Sequence, residues 1–69
     1  MNSKTAIKIM LSATNKSKAD IAKAIGKSDS YVNMAMQRDI RISTLLDIAN
    51  AAGYELKLQS GDNTILITK

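Results

Sequence analysis

The chain contains no cysteine and no histidine, and its six carboxylates are scattered along 69 residues. Without cysteine it can form neither a disulfide nor a thiolate metal site, and we expect a reducing, cytoplasmic setting. The scattered carboxylates form no nucleophile–base pair and no cluster of metal ligands. We therefore expect a protein that is not an enzyme and that needs neither a metal nor another cofactor.

Long hydrophobic runs are also missing, and no segment has the pattern of a secretory signal, so we expect no membrane partner. The length predicts one domain over residues 1–69. So short a chain buries a limited fraction of its surface. Tight helix packing or association with a second copy therefore has to supply much of its stability.

The net charge of +4 is unevenly distributed. Residues 1–41 carry eight Lys or Arg and three Asp, a net +5, whereas residues 42–69 carry two Lys and three acids, a net −1. Because Lys and Arg neutralise phosphates, a basic half is typical of a nucleic-acid-binding surface. A solubilising surface could carry the same charge, so charge alone leaves both interpretations open.

The spacing of apolar residues predicts four helices, at about residues 4–13, 17–25, 28–37 and 43–52. In the third of these, Val32, Ala35 and Met36 are expected to face inward. Few of the residues left on its outer face are ordinary solubilising residues, which indicates a contact surface. They are Ser30, Tyr31, Asn33, Met34 and Gln37.

Serine and glycine residues mark the expected helix ends. Asp20 in the first turn of the second helix suggests a capping box, and Gly26 and Gly53 are expected to end the second and fourth helices. The serines expected to cap the last three helices are Ser17, Ser28 and Ser43.

After residue 53 apolar and polar residues alternate, a spacing typical of β-strands. Two such segments, 54–59 and 64–68, lie on either side of Gly61-Asp62, which predicts a β-hairpin. A two-residue loop there would place one apolar face on the hairpin and leave one leucine on the other face. Both edges of so small a sheet are open, and a second copy could cover them. We expect a homodimer whose interface includes Tyr54, Leu56, Leu58, Ile65, Leu66 and Ile67.

Two stretches resemble the Cro/CI-type helix-turn-helix family, also called the XRE family. They read S-K-x-x-I-A-x-x-I-G-x-S-x-S-x-V over residues 17–32 and I-S-T-L-L-D-I-A-N-A-A-G-Y-E-L over residues 42–56. The resemblance implies a mainly α fold of four to five helices, in which the third helix enters the major groove of double-stranded DNA. The hairpin is similar to the C-terminal strands of Cro-like and HipB-like repressors, in which strands join two subunits.

The chain departs from the family pattern in three places. Many members carry Glu-x-Gly where this chain has Met36, Gln37 and Arg38, and Gln where it has Lys18. Its third helix begins with the acidic Asp29 and has no Arg, Lys or Gln in its first turn. These differences bear on sequence specificity rather than on the fold.

The resemblance also implies roles for individual side chains. Base edges would be contacted by Asp29, Ser30, Asn33 and Met34. The DNA backbone would be contacted by Lys18, Lys27, Ser28, Tyr31, Gln37, Arg38 and Arg41. For Tyr31 the alternative is partial burial in the core, and for any one lysine it is an ordinary solvated position.

Two functions from different classes follow. The first is a sequence-specific transcriptional regulator, a small homodimeric phage or bacterial repressor acting on a palindromic operator. The second is a protein-binding module that reuses the same fold, such as a small phage-encoded inhibitor, or the antitoxin of a toxin–antitoxin pair. A protein partner is therefore possible beside DNA.

Overall fold

The computed structural model describes residues 2–38 and 40–68, which form four α-helices followed by an antiparallel two-stranded hairpin. The expected mainly helical class with a C-terminal hairpin is confirmed. After the fourth helix the described chain enters the hairpin directly and forms no fifth helix. The elements are α1 (Ser3–Thr14), α2 (Lys18–Ala24), α3 (Asp29–Ala35), α4 (Ile42–Ala51), β1 (Leu56–Ser60) and β2 (Asn63–Ile67).

One apolar cluster holds the four helices together. Each helix contributes a completely buried β-branched residue, namely Ile7, Ile21, Val32 and Ile48. Small or flexible side chains on the same helix faces pack around these four residues and let the helices approach closely. They are Met10, Ala22, Ala35, Met36, Ala49 and Ala52. No polar side chain of the described residues is buried, so apolar burial carries the stability of this fold.

The start and end of α2 follow from local sequence. The Asp20 backbone N–H donates to Ser17 Oγ at 3.1 Å, and the Ser17 backbone N–H donates to Asp20 Oδ2 at 3.0 Å. The expected capping box is therefore complete. At the other end Gly26 adopts a φ of +73°, and the Lys27 N–H reaches back to the Ala22 carbonyl at 2.8 Å. This Schellman closure fixes where the chain turns toward α3.

Two of the expected serine caps are wrong in detail. Arg41, not Ser43, is the N-cap of α4, so Ser43 lies within the first turn. Ser28 does occupy the N-cap of α3, but its hydroxyl makes no capping bond, because it is paired with the hydroxyl of Ser30 at 2.7 Å.

The third helix is shorter than predicted. It ends at Ala35, and the Gln37 N–H donates to the Met34 carbonyl at 3.1 Å, a bond three residues apart that tightens the chain into a turn. Gln37 and Arg38 therefore lie beyond α3 rather than on its last turn.

The hairpin has the predicted register. Leu58 pairs with Ile65 and Leu56 with Ile67, so these four residues share one face, and Leu66 pairs with Lys57 on the other. Gly61 has a φ of +57° and Asp62 a φ that is not positive, as in a type II′ turn. Strand β1 begins two residues later than predicted and β2 ends one residue earlier, so Tyr54 precedes β1 and Thr68 follows β2.

Candidate nucleic-acid interface

The turn at Gly26 packs α2 and α3 against each other through their buried faces. Ile21 and Ala22 of α2 share the core with Val32 and Ala35 of α3. Because its inward positions are anchored in this way, α3 presents a fixed opposite face to solvent.

That outward face carries the four residues expected to read bases. Positions 29, 30, 33 and 34 form two i,i+4 pairs, which lie on one side of a helix and span about 7.5 Å along its axis at 1.5 Å per residue. Asp29, Ser30 and Met34 are exposed, whereas Asn33 is half-buried. The fold thus brings the four together, with Asn33 set deepest.

The hydroxyls of Ser28 and Ser30 form one hydrogen-bonded pair, 2.7 Å apart. In such a pair one hydroxyl donates its proton to the other, and the second keeps its own proton and a lone pair. The pair therefore still offers an outward donor and acceptor at the start of α3, the two functions that a phosphate or base edge could use.

Tyr31 is half-buried and packs against the core cluster, so the alternative of partial burial describes it best. It does not lie freely on the outer face, as the sequence suggested. The Lys27 ammonium lies 5.7 Å from the centroid of its ring, within the range of a cation–π contact. This contact holds a positive charge beside the first turn of α3.

The remaining backbone candidates are all exposed: Lys18, Gln37, Arg38 and Arg41. Gln37 and Arg38 line a depression of about 270 Å³ together with Asn2, Ser3 and Lys4 at the start of α1. Lys4 and Arg38 thus border the same depression. Sequence reasoning missed Lys4 because more than thirty residues separate it from Arg38 and no local pattern links the two.

A second depression, of about 170 Å³, lies on the other side of Arg38. Its lining is mostly apolar and includes side chains that precede and begin α4, which sequence reasoning also missed. The lining residues are Tyr31, Met34, Ala35, Arg38, Ile40 and Thr44.

The hairpin leaves apolar residues exposed. Leu58 is 58% exposed, Ile65 61% and Leu66 49%, whereas Leu56 and Ile67, nearer the helices, are half-buried. Tyr54 is exposed and lines an apolar groove of about 250 Å³ with Leu56 and residues of α1 and α4. Ile9 of α1, 46% exposed, extends this surface and was not among the expected interface residues.

The pKa of the Asp20 carboxyl is shifted by its surroundings. The Ser17 backbone N–H, then the Ser17 hydroxyl, and more weakly Lys16 and Lys23 lower the pKa of Asp20 from its ordinary value of 3.8. This carboxylate belongs to the helix cap and does not point to catalysis.

The described residues offer neither a cluster of metal ligands nor a membrane-spanning helix. No three His, Cys, Asp or Glu side chains within 2–38 and 40–68 come together as potential metal ligands. In the same part of the chain, no helix combines the length and the apolar character needed to span a bilayer.

Comparison with known proteins gave no relationship. No protein-family model matches the chain, and no curated protein or solved structure matches it significantly.

Proposed function

We propose that this chain is a sequence-specific DNA-binding regulator of the Cro/CI helix-turn-helix type, acting as a homodimer on a palindromic operator. The observation that carries the proposal is the face of α3 formed by Asp29, Ser30, Asn33 and Met34. It combines hydrogen-bonding side chains with one apolar contact on a helix whose other face is anchored in the core.

The surrounding charge supports the same function. Lys27 is held over Tyr31 at the start of α3, and Arg38 follows its end. A helix bracketed by exposed cations can be positioned on a duplex by phosphate contacts while its outward face meets base edges.

A homodimer through the hairpin completes the proposal. Each copy leaves Leu58, Ile65 and Leu66 about half or more exposed on a two-stranded sheet, which is marginal in isolation. Two copies related by a two-fold axis would present two α3 helices to successive major grooves, about 34 Å apart.

The test is selection of binding sites from a random duplex pool, with light scattering on the same preparation. We expect an inverted repeat with half-sites one helical turn apart, and a particle of twice the 7.5 kDa chain mass. Enrichment of a motif without two-fold symmetry contradicts the dimeric geometry. If no motif is enriched and duplex affinity is absent even at low salt, the DNA-binding function is wrong.

The second candidate is a protein-binding module, either a small inhibitor or an antitoxin. The observation that favours it is the mostly apolar depression beside Met34, since apolar surface next to α3 suits a protein partner as well as a thymine methyl. If Asn33→Ala leaves duplex affinity and preference intact while binding to a protein partner is lost, α3 is a protein-docking face and this candidate is favoured.

A further inference from the structure

We infer that the second copy binds along the free edge of β2, with the two-fold axis passing through Leu66, so that two hairpins form one four-stranded sheet. This inference rests on the homodimer proposed above and adds which edge is used and in which register. It follows from the direction of the backbone groups, the charge of the two edges and the pairing of side chains.

The direction of the backbone groups follows from the turn. Ser60 and Asn63 flank a two-residue loop. They must form a hydrogen-bonded pair, because otherwise the alternation would place a hydrogen-bonded pair between the two loop residues, which are neighbours in sequence and cannot bond to each other. Hydrogen-bonded and non-hydrogen-bonded pairs then alternate along the hairpin. Lys57 and Leu66 form a non-hydrogen-bonded pair, so the N–H and C=O groups of Leu66 point outward from the β2 edge.

The outer edges of β1 and β2 differ in how well they are protected against pairing with another strand. The outer row of β1 includes Lys57, and a lysine on an edge discourages pairing with another strand. Strand β2 reads Asn-Thr-Ile-Leu-Ile, with no charge and no proline. Its outward groups belong to Thr64 and Leu66, and to Thr68 if the strand is extended by one residue. An uncharged, β-prone edge of this kind needs a partner strand to avoid uncontrolled association.

An antiparallel register centred on Leu66 and one centred on Ile65 both place the apolar faces of the two hairpins on the same side of the sheet. When β2 of each copy is extended by one residue to Thr68, the Leu66 register joins three hydrogen-bonded pairs: Leu66 with its own copy, and Thr64 with Thr68 twice. With two bonds in each pair, that gives six bonds. The Ile65 register joins only two such pairs, Thr64 with Leu66 twice, and gives four.

Side-chain chemistry favours the same register. With the axis at Leu66, Ile65 lies opposite Ile67 of the second copy, so an exposed residue meets a half-buried one. Each row across the apolar face then contains Leu56, Ile67, Ile65 and Leu58, the last two from the other copy. With the axis at Ile65, Ile67 would instead oppose the polar Asn63.

The opposite face is equally consistent. Leu66 meets its own copy at the axis, and Lys57 lies directly beside each leucine in the register of the hairpin. The aliphatic stems of the two lysines can cover the leucine pair while their ammonium groups stay in water. Leu66, which interrupts the polar face in a single chain, thus acquires a partner.

Single cysteines test the register cleanly, because the chain has none of its own. Ile65→Cys and Ile67→Cys are co-expressed with tags of different length and oxidised with oxidised glutathione. The Leu66 register places the two thiols in a non-hydrogen-bonded pair, about 4.5 Å between Cα atoms, so we expect a disulfide heterodimer. Either variant alone should give no dimeric band, since like residues then lie about 8 Å apart.

Lys57→Cys is the matched control. Its thiol is exposed on the hairpin, but the two copies lie three strand spacings apart, about 14 Å, and should not cross-link. Cross-linking of Ile65→Cys with itself would overturn the Leu66 axis in favour of Ile65. A dimer in light scattering with no cross-link in any combination would overturn pairing at β2 and leave the dimer and the DNA function standing.

Amide hydrogen exchange on the unmodified protein gives an answer that depends on no variant. We expect the amides of Thr64 and Leu66 to exchange at least about tenfold more slowly than those of Lys57 and Gln59, because only the first two would be bonded across the axis. The difference should vanish on dilution to monomer. Equal, fast exchange in all four at dimeric concentrations would overturn the inference, and a protein that is monomeric throughout would also remove the proposed homodimer.

Discussion

Lys27 and Tyr31 connect the turn after α2 to the first turn of α3, with the Lys27 ammonium 5.7 Å from the centroid of the Tyr31 ring. Tyr31 is half-buried against the core, so packing fixes the position of its ring. The exposed Lys27 side chain contacts that ring, which places the positive charge of Lys27 at the start of α3. The contact therefore couples the packing of α3 to the electrostatics of its N-terminal end.

A double-mutant cycle with Lys27→Met and Tyr31→Leu should show this coupling. We expect an interaction energy of about 0.5–1 kcal/mol in the free energy of unfolding, the range of an exposed cation–π pair. Tyr31→Phe is the control, because it keeps the ring and should preserve the coupling. Denaturant unfolding measures all the variants, and additive effects of the two substitutions would show that the contact contributes nothing.

Asn33→Ala should lose sequence preference more than general affinity. We expect a cost of about 1–3 kcal/mol on the preferred site and relaxed preference at one base position, because an amide reads a base edge by paired hydrogen bonds. Asn50→Ala, which removes an exposed amide from α4, is the control and should change neither quantity. A uniform loss on all duplexes would assign Asn33 to the backbone.

Lys18→Ala and Arg38→Ala should weaken binding to every duplex alike. Each substitution should also lower the slope of log affinity against log salt by about one, because one phosphate contact releases about one counterion. Fluorescence anisotropy across a salt series measures both effects. Lys57→Met on the hairpin removes one positive charge, as Lys18→Ala does, but keeps an aliphatic stem beside Leu66, and it should leave the slope unchanged. A loss confined to one sequence would instead indicate base contact.

The capping box at Ser17 predicts a dependence on pH. The pKa of Asp20 is lowered in the folded protein, so the stabilisation is fully present above the ordinary value of 3.8 and is lost as pH falls through the folded pKa. Ser17→Ala should raise the pKa of Asp20 toward its ordinary value and cost about 1 kcal/mol at neutral pH. NMR titration of the Asp20 carboxyl and thermal unfolding measure the two effects.

Ser12→Ala is the control for this cap, since Ser12 is exposed within α1 and takes part in helix capping only through its backbone carbonyl, which alanine keeps. It should leave the pKa of Asp20 unchanged and stability within about 0.5 kcal/mol. If Ser17→Ala also leaves the Asp20 pKa unchanged, the Ser17 hydroxyl does not perturb this carboxyl, and the lowering comes from the Ser17 backbone N–H, which alanine retains.

Features that depend on neighbours in sequence could be predicted. The Ser17–Asp20 cap, the left-handed Gly26 and the pairing of Leu58 with Ile65 all follow from residues within about eight positions of one another. The capping and turn interactions act over one or two turns of chain, and alternation fixes which strand residues share a face.

Tertiary packing decided the rest. The burial of Tyr31, the depth of Asn33 and the depression shared by Lys4 and Arg38 depend on how α1, α3 and α4 lie against one another. The same packing leaves Ile9 exposed although its helix contributes Ile7 and Met10 to the core. Sequence by itself determined where the helices and the hairpin form, because their signals are local. Which of their side chains reach solvent was decided only by the fold, because exposure depends on residues distant in the chain.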